Sequence, residues 1–227
     1  MQKKIAVIIP CLNEEKTVEK VIKDFKNVLP EARIFIFDNN STDNSAKLAR
    51  KAGATVKKVE NRGKGNVVRE MFKTVNADCY LMVDADDTYF AKSAKKMVNL
   101  ILEKNYDMVI GDRISTSYFK ENKRAFHSFG NRFVRFLIRI FYHQKINDIM
   151  TGYRAFSKKF AKTYPAKSKG FEVETEMTIF AINHKLKNKE IPIKYQSRKH
   201  GSKSKVKTIK DGIKIIFFIL KSFIKKY

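Results

Sequence analysis

The segment Cys79 to Phe90, CYLMVDADDTYF, carries the residues whose types and spacing most suggest chemistry. Its apolar run, Cys79 to Val83, reads as a buried strand that delivers Asp84, Asp86 and Asp87 at its end. Carboxylates released there in an open α/β sheet lie in the crevice where such sheets bind ligands. Hard oxygen donors suit Mg2+ or Mn2+, and Mg2+ is commonly held by one or two carboxylates together with a substrate's phosphates. An acidic strand end is also a common solvated loop, so the Asp-x-Asp by itself leaves both readings open.

The elements around that segment repeat a pattern. Strands are expected at Ile5 to Ile9, Arg33 to Phe37, Ala54 to Val59, Cys79 to Val83 and Asp107 to Ile110. Helices are expected between them, at Thr17 to Val28, Ala46 to Lys51, Gly63 to Val75 and Lys92 to Lys104. In the first of these helices Val18, Val21, Ile22 and Phe25 form one stripe. Ser41, Thr42 and Asp43 offer caps to the second, and Gly53 stops it. Strands separated by helices predict right-handed βαβ units and a parallel sheet. The fold class is therefore α/β, within one domain that has a specialised C-terminal third.

Composition narrows the setting. The 227 residues include 48 Lys plus Arg against 23 Asp plus Glu, a formal net charge of +25. Such a surface seeks phosphates, whether in nucleic acid, anionic lipid or a phosphorylated substrate. A lysine-rich codon bias is the alternative source of the same excess. The basic residues do not interleave with aromatics in a nucleic-acid module, and the acidic strand end would repel a nucleic-acid backbone, so no nucleic-acid partner is expected. Cys11 and Cys79 lie in strand contexts without metal-ligand spacing and are expected to be reduced core thiols of a cytosolic protein. The first strand begins at once, so no signal peptide is expected. No run approaches the roughly 20 apolar residues that span a bilayer.

After Gly111 the character changes. Phe129, Phe133, Phe136, Leu137, Ile140 and Phe141 fall on one side of a helix, and Arg132, Arg135 and Arg139 on the other. Residues 213–224 repeat the theme, with Ile215 to Leu220 bracketed by Lys214, Lys221, Lys225 and Lys226. Each is either a core helix or a helix lying in a membrane interface, with cations toward the headgroups.

In order along the chain stand Ile-Pro-Cys-Leu-Asn-Glu-Glu at 9–15, Asp-Asn-Asn-Ser-Thr-Asp at 38–43, Asn-Arg-Gly-Lys-Gly at 61–65 and Asp-Ala-Asp-Asp at 84–87. Gly-Asp-Arg at 111–113, Gly-Asn-Arg at 130–132, Asp148 with Thr-Gly-Tyr-Arg-Ala-Phe at 151–156, and Phe-Glu-Val-Glu-Thr-Glu at 171–176 follow. Glu-Ile-Pro-Ile-Lys-Tyr at 190–195, Arg198 and Gly-Ser-Lys-Ser-Lys at 201–205 complete the series. Together these resemble the family 2 inverting glycosyltransferases of GT-A fold, and more narrowly the polyprenyl-phosphate sugar synthases, the dolichyl-phosphate mannose and glucose synthases among them.

The resemblance implies a mostly parallel Rossmann-like sheet followed by amphipathic interfacial helices. Residues 1–110 would form the nucleotide-sugar half, 111–205 the acceptor half and 206–227 a membrane-proximal tail. It implies transfer from a nucleotide sugar, a UDP-sugar in preference to GDP-mannose, to a dolichyl or undecaprenyl phosphate. It further implies Mg2+ or Mn2+, a peripheral position on the cytoplasmic face of an anionic membrane, and a membrane-anchoring partner protein. Pro10, Asn13, Glu14 and Asp38 would line the nucleoside pocket. Asp84 and Asp86 would meet the ribose or the metal on the diphosphate. Thr88 replaces the Gln that many relatives place two residues beyond the second Asp.

Lys64, flanked by Gly63 and Gly65, could meet an anion together with the backbone N–H groups of that turn. Arg113, Arg124 and Ser128 would surround the lipid phosphate, arginine being suited to grip phosphate by two parallel hydrogen bonds. Arg198, Ser204 and Lys205 resemble a basic loop closing on the donor. Asp148 and Glu176 match acidic positions, Asp148 orienting either the acceptor or an arginine. The alternative is a soluble family 2 enzyme acting on a sugar or protein hydroxyl, for which Asp148 would be the base.

Overall fold

The computed structural model describes residues 2–116, 118, 125–198, 205, 206 and 208–225. Seven strands form one sheet: β1 Ile5–Cys11, β2 Arg33–Asp38, β3 Thr55–Lys58, β4 Cys79–Met82, β5 Met108–Asp112, β6 Arg154–Ser157 and β7 Asn188–Pro192. Their order is β3-β2-β1-β4-β6-β5-β7. The helices are α1 Val18–Val28, α2 Ser45–Lys51, α3 Lys64–Thr74, α4 Ala94–Leu102, α5 Ala125–Tyr142, α6 Lys158–Thr163, α7 Val173–Asn183 and α8 Thr208–Ile224.

The inner strands are buried on both faces, so they read as continuous apolar runs and not as alternating ones. In β1, Ala6 and Ile8 face a core completed by α3 and α5 to α8, while Ile5, Val7 and Ile9 face one completed by α1, α2 and α4. The first five expected strands are present. The sheet is mostly parallel, as the resemblance implies, with one strand reversed. β6 is antiparallel to both neighbours and separates β4 from β5, with Tyr80 opposite Phe156 and Val109 opposite Ala155. Four residues opening on a charged Arg154 give no strand-like run, so this element is invisible to periodicity. Arg154 is nevertheless fully buried. Its guanidinium donates to the carbonyls of Thr151 and Ile149 and to Thr178 Oγ1.

Two glycines set how closely the 167–170 segment crosses α3. A side chain at Gly63 or at Gly65 would collide with the carbonyl of Lys169 or of Ser168 respectively, and Gly63 also has φ +123°. The crossing segment is held from the other side by Glu176, whose two carboxylate oxygens accept the N–H groups of Lys167 (2.8 Å) and Ser168 (2.9 Å).

The single stripes expected in the C-terminal third are each split in two. In α5, Val134, Leu137 and Ile138 are buried, whereas Phe133, Phe136 (55% exposed) and Ile140 face outward. In α8, Ile215 and Ile219 pack inward, and Phe218 is partly buried against the same core. Ile213 (62% exposed), Phe217 (65%), Leu220 and Ile224 (80%) face outward. The two helices meet through Phe141 and Phe223, with ring centroids 4.7 Å apart. At ~100° per residue each helix thus has three sectors, one buried, one exposed and apolar, and one basic. Lys210, Lys214, Lys221 and Lys225 form the basic sector of α8.

The glycine positions give a paired test. Gly65→Ala forces a methyl into a backbone carbonyl and should cost about 1–3 kcal/mol or more in urea unfolding. Gly212→Ala lies inside α8 with open space around the added carbon, and should be neutral or stabilising by about 0.5–1 kcal/mol.

Candidate active site

The carboxyl ends of β1, β2 and β4 converge on one crevice, which brings Glu14, Asp38, Asp84 and Asp86 to the same end of the sheet. Asp84 follows β4 and is tightly placed. Its Oδ1 lies 2.6 Å from Lys64 Nζ, and its carboxylate rests against Gly152, where any side chain would collide with it. Burial presses the Asp84 carboxyl upward, but the Lys64 ammonium, with Arg198 and Arg113 further off, outweighs it and leaves the pKa below the ordinary value. Asp86 goes the other way: burial and the neighbouring Asp84 charge raise its pKa. Two close carboxylates pushed in opposite directions are a recurrent mark of functional sites. Asp86 Oδ1 accepts from the Thr88 hydroxyl at 2.6 Å and from the Thr88 N–H at 3.2 Å. Thr88 therefore orients Asp86 and does not extend a ligand of its own.

A basic strap covers these acids. Gln196 donates through its N–H to the Thr88 carbonyl (3.1 Å) and through Nε2 to the Asp87 carbonyl (2.6 Å). The strap carries Arg198 onto the acids, with Nη2 on Asp86 Oδ2 and Nη1 3.1 Å from Glu14 Oε1. Lys205 Nζ also meets Glu14 Oε1 and the Asn13 carbonyl. Arg198, Lys205, Glu14 and Asp86 are thus brought together as one cluster, Glu14 serving as the anchor of the strap.

The loop after β1 is stitched to the loop after β2. Asn13, in the left-handed region at φ 52°, accepts the Thr42 N–H on Oδ1 at 2.8 Å and donates its own N–H to Ser41 Oγ at 2.9 Å. Asp43, and neither Ser41 nor Thr42, serves the start of α2, accepting from the Ser45 N–H and hydroxyl. Pro10 lies within β1 opposite Phe37, and Asp38 is buried at the end of β2. Asn39 donates from Nδ2 to the carbonyls of Val59 and Asn61 and accepts the Gly63 N–H on Oδ1. The Gly65 N–H goes to the Lys169 carbonyl at 3.1 Å. Of the N–H groups expected to meet an anion in the Gly63-Lys64-Gly65 turn, those of Gly63 and Gly65 are therefore already taken. Both groups are committed to protein partners, and the glycines serve backbone packing.

After β5, Arg113 and Asp148 form a buried fork. Nε and Nη2 donate to the two Asp148 oxygens at 2.7 and 2.9 Å, and Nη1 to Tyr89 Oη at 3.3 Å. The rings of Tyr89, Tyr118 and Tyr195 surround the guanidinium, with centroids 4.7–5.9 Å from its carbon. The two parallel bonds expected to grip a phosphate are spent here on Asp148. Of the two partners foreseen for Asp148, the geometry shows the arginine. Arg124 lies outside the described residues, as does Ser204; Ser128 falls within α5. Reading by sequence also passed over Glu174, Tyr89 and Gly152. Glu174 stood in a recognised motif without an assigned role, and its buried carboxylate lies 2.6 Å from Lys64 Nζ.

Comparisons with known proteins bear on this geometry. The glycosyl transferase family 2 model matches residues 6–164. Glycosyltransferase AglJ of Haloferax volcanii is 35% identical over 209 residues, 92% of this chain and 68% of its own. A UDP-N-acetylglucosamine–dolichyl-phosphate N-acetylglucosaminyltransferase of Methanococcus voltae is 28% identical over 218 residues, 85% of either chain. Among solved structures, glucosyl-3-phosphoglycerate synthase from Mycobacterium tuberculosis, in complex with Mn2+, UDP and phosphoglyceric acid, superposes with a TM-score of 0.81 at 18% identity, covering 97% of this chain and 78% of that one. That last likeness is one of fold. With the family model spanning most of its length and a crevice of strand-end carboxylates where the fold predicts one, the chain belongs to glycosyl transferase family 2 and resembles its polyprenyl-phosphate sugar synthases.

Proposed function

We propose that this enzyme transfers a sugar, with inversion, from a nucleotide sugar to the phosphate of a polyprenyl lipid at the cytoplasmic face of a membrane. A UDP-sugar is favoured over GDP-mannose as donor. The observation that carries the reading is the fork between Arg113 and Asp148. Transfer to a hydroxyl needs a carboxylate base, and Asp148, the candidate for it, is fully buried with both oxygens held. A phosphate monoester is already a competent nucleophile near neutral pH and needs alignment more than proton removal. The names of the relatives from Methanococcus voltae and of a dolichyl-phosphate hexose transferase of Haloferax volcanii, 26% identical over 194 residues, agree with such an acceptor.

Asp86, with Asp84 beside it, would hold Mg2+ or Mn2+. The donor set fits: Asp86 is buried and oriented by Thr88, and its free oxygen already faces a cation in Arg198. Among the described residues no three His, Cys, Asp or Glu side chains converge as a ready cage, so the ion would draw its other ligands from the diphosphate and water. When bound, the ion supplies positive charge to the leaving diphosphate. Arg198 and Lys205, freed from Asp86 and Glu14, would add theirs. Asp38 would face the nucleoside, and Lys64 would keep Asp84 in place. Arg124 and Ser128 would receive the acceptor phosphate, with the Arg113–Asp148 fork bracing that wall.

No helix among the described residues is long and apolar enough to cross a bilayer. The outward apolar sectors of α5 and α8, each beside a basic sector, suit shallow burial among anionic headgroups.

Three measurements test this. A panel of labelled nucleotide sugars with polyprenyl phosphate, read by extraction into organic solvent, should give a metal-dependent lipid product. Full transfer in excess EDTA, or transfer only to water-soluble hydroxyl acceptors, would overturn the reading. Arg198→Ala should bind Mn2+ more tightly than the parent when no donor is present, because the competing guanidinium is gone, yet turn over more slowly. Weaker Mn2+ binding would contradict the exchange of arginine for metal. Ile213→Glu with Phe217→Glu should reduce co-sedimentation with anionic liposomes while leaving transfer to a short, water-soluble polyprenyl phosphate intact. Unchanged sedimentation would show that this face meets something other than lipid.

A further inference from the structure

The residue before α7 and its first turn present three glutamates with different tasks. Glu172 accepts the N–H groups of Lys169 and Gly170, and Glu176 those of Lys167 and Ser168. Glu174 reaches across to α3, where its Oε1 lies 2.6 Å from Lys64 Nζ. The same ammonium lies 2.6 Å from Asp84 Oδ1. Lys64 and Glu174 are both nearly sealed from water, with side chains 11% and 4% exposed.

Such a triad is costly, since every buried ion loses its hydration. A lysine paired with Asp84 alone would already be neutral, and an apolar residue at position 174 would be the cheaper neighbour. The pair would then present no net charge to the crevice. Glu174 changes that sum. It takes up the positive charge of Lys64 from behind and leaves one net negative charge on the triad. It also holds the ammonium from two sides. This fixes the Asp84 oxygen that Lys64 touches while Gly152 limits the other face of the carboxylate.

We propose that Glu174 is a positioning residue that returns to Asp84 the negative charge Lys64 would otherwise cancel, so that Asp84 and Asp86 together attract a divalent cation. The inference rests on the metal-diphosphate reading of the crevice and assigns part of its charge to a helix that does not line it. The ligand concerned is the divalent ion of the donor complex. Glu174 acts on it through Lys64 and Asp84.

The test is a charge cycle read by Mn2+ binding, followed by the loss of the free-ion signal in electron paramagnetic resonance. Glu174→Gln keeps the volume and the acceptor oxygen and removes the charge. Its Mn2+ dissociation constant should rise about tenfold or more, as expected for an uncompensated cation close to the metal. The double variant Lys64→Met with Glu174→Gln removes both charges and should recover most of that loss. A merely structural glutamate would lower the unfolding midpoint without rescue by the second substitution. Parent-like Mn2+ binding by Glu174→Gln, or a double variant as weak as the single one, overturns the proposal. If Glu174→Gln does not fold, the double variant is compared with the parent directly, and binding tenfold weaker overturns it as well. A parent that shows no saturable Mn2+ binding overturns the metal reading and this inference together. A binding parent with an indifferent Glu174→Gln overturns this inference alone.

Discussion

A lysine buried between two carboxylates is the contact on which the crevice depends. Lys64 starts α3, Asp84 follows β4 and Glu174 lies in the first turn of α7, so one ammonium joins three elements. Its partners must be brought to it with little tolerance. That requirement explains the glycines at 63, 65 and 152, where the backbone of 168–169 or the Asp84 carboxylate occupies the space of a side chain. It also explains Glu176, which presses the 167–168 backbone onto α3. A second buried ion lies behind. Burial lowers the pKa of Arg154, and the carboxylates of Glu174, Asp148 and Glu190 counter it. The Lys64 cluster and the Arg113–Asp148 fork are thereby tied through one low-dielectric interior, where unpaired charge is expensive.

Asn39, next to the acid that ends β2, is committed to the fold. The amide donates to two carbonyls and accepts an N–H from Gly63. A carboxylate could accept that N–H but would face the carbonyls of Val59 and Asn61 with lone pairs on both sides. The side chain is therefore a clamp on the 59–63 loop, and its atoms are not free for a nucleobase. Asn40 sits at φ 63°, a conformation that asparagine tolerates better than most residues. These two residues hold the backbone path while leaving Asp38 as the acid at the end of β2.

Much of the architecture was legible in the sequence, and the misses have a common cause. β1, β2, β4 and the helices between them declare themselves because each buries a regular stripe against one sheet. Asp84 and Asp86 declare themselves because they follow such a strand. β6 did not, because its first residue is a buried arginine whose partners are carbonyls distant from any pattern of alternation. The Gly63-Lys64-Gly65 turn was legible as a close approach but not as to what approaches: a protein carbonyl fills the place where an anion was expected. Glu174 was in view yet unreadable, since nothing local distinguishes it from Glu172 and Glu176. Only the packing of α7 on α3 separates their tasks.

The same limit accounts for α5 and α8. Reading by periodicity divides a helix into an apolar and a polar half, which suffices when it meets only core and water. Here the apolar residues are too many for one buried face. Ile215 and Ile219 fill the contact with α5 and α7, and Ile213, Phe217 and Ile224 lie on the neighbouring sector, largely exposed. A lone exposed apolar side chain carries no message, but a sector continued over about three turns and bordered by Lys210, Lys214, Lys221 and Lys225 does. Apolar burial alone would favour any greasy surface, and cations alone any anionic one. Only a surface offering both at the depth of one helix radius satisfies the two adjacent sectors at once, and a lipid headgroup region has that layering. A polyprenyl phosphate has it too: a charged head at the interface and an apolar chain below. Under the proposed function the same layered surface would carry both these helices and the acceptor.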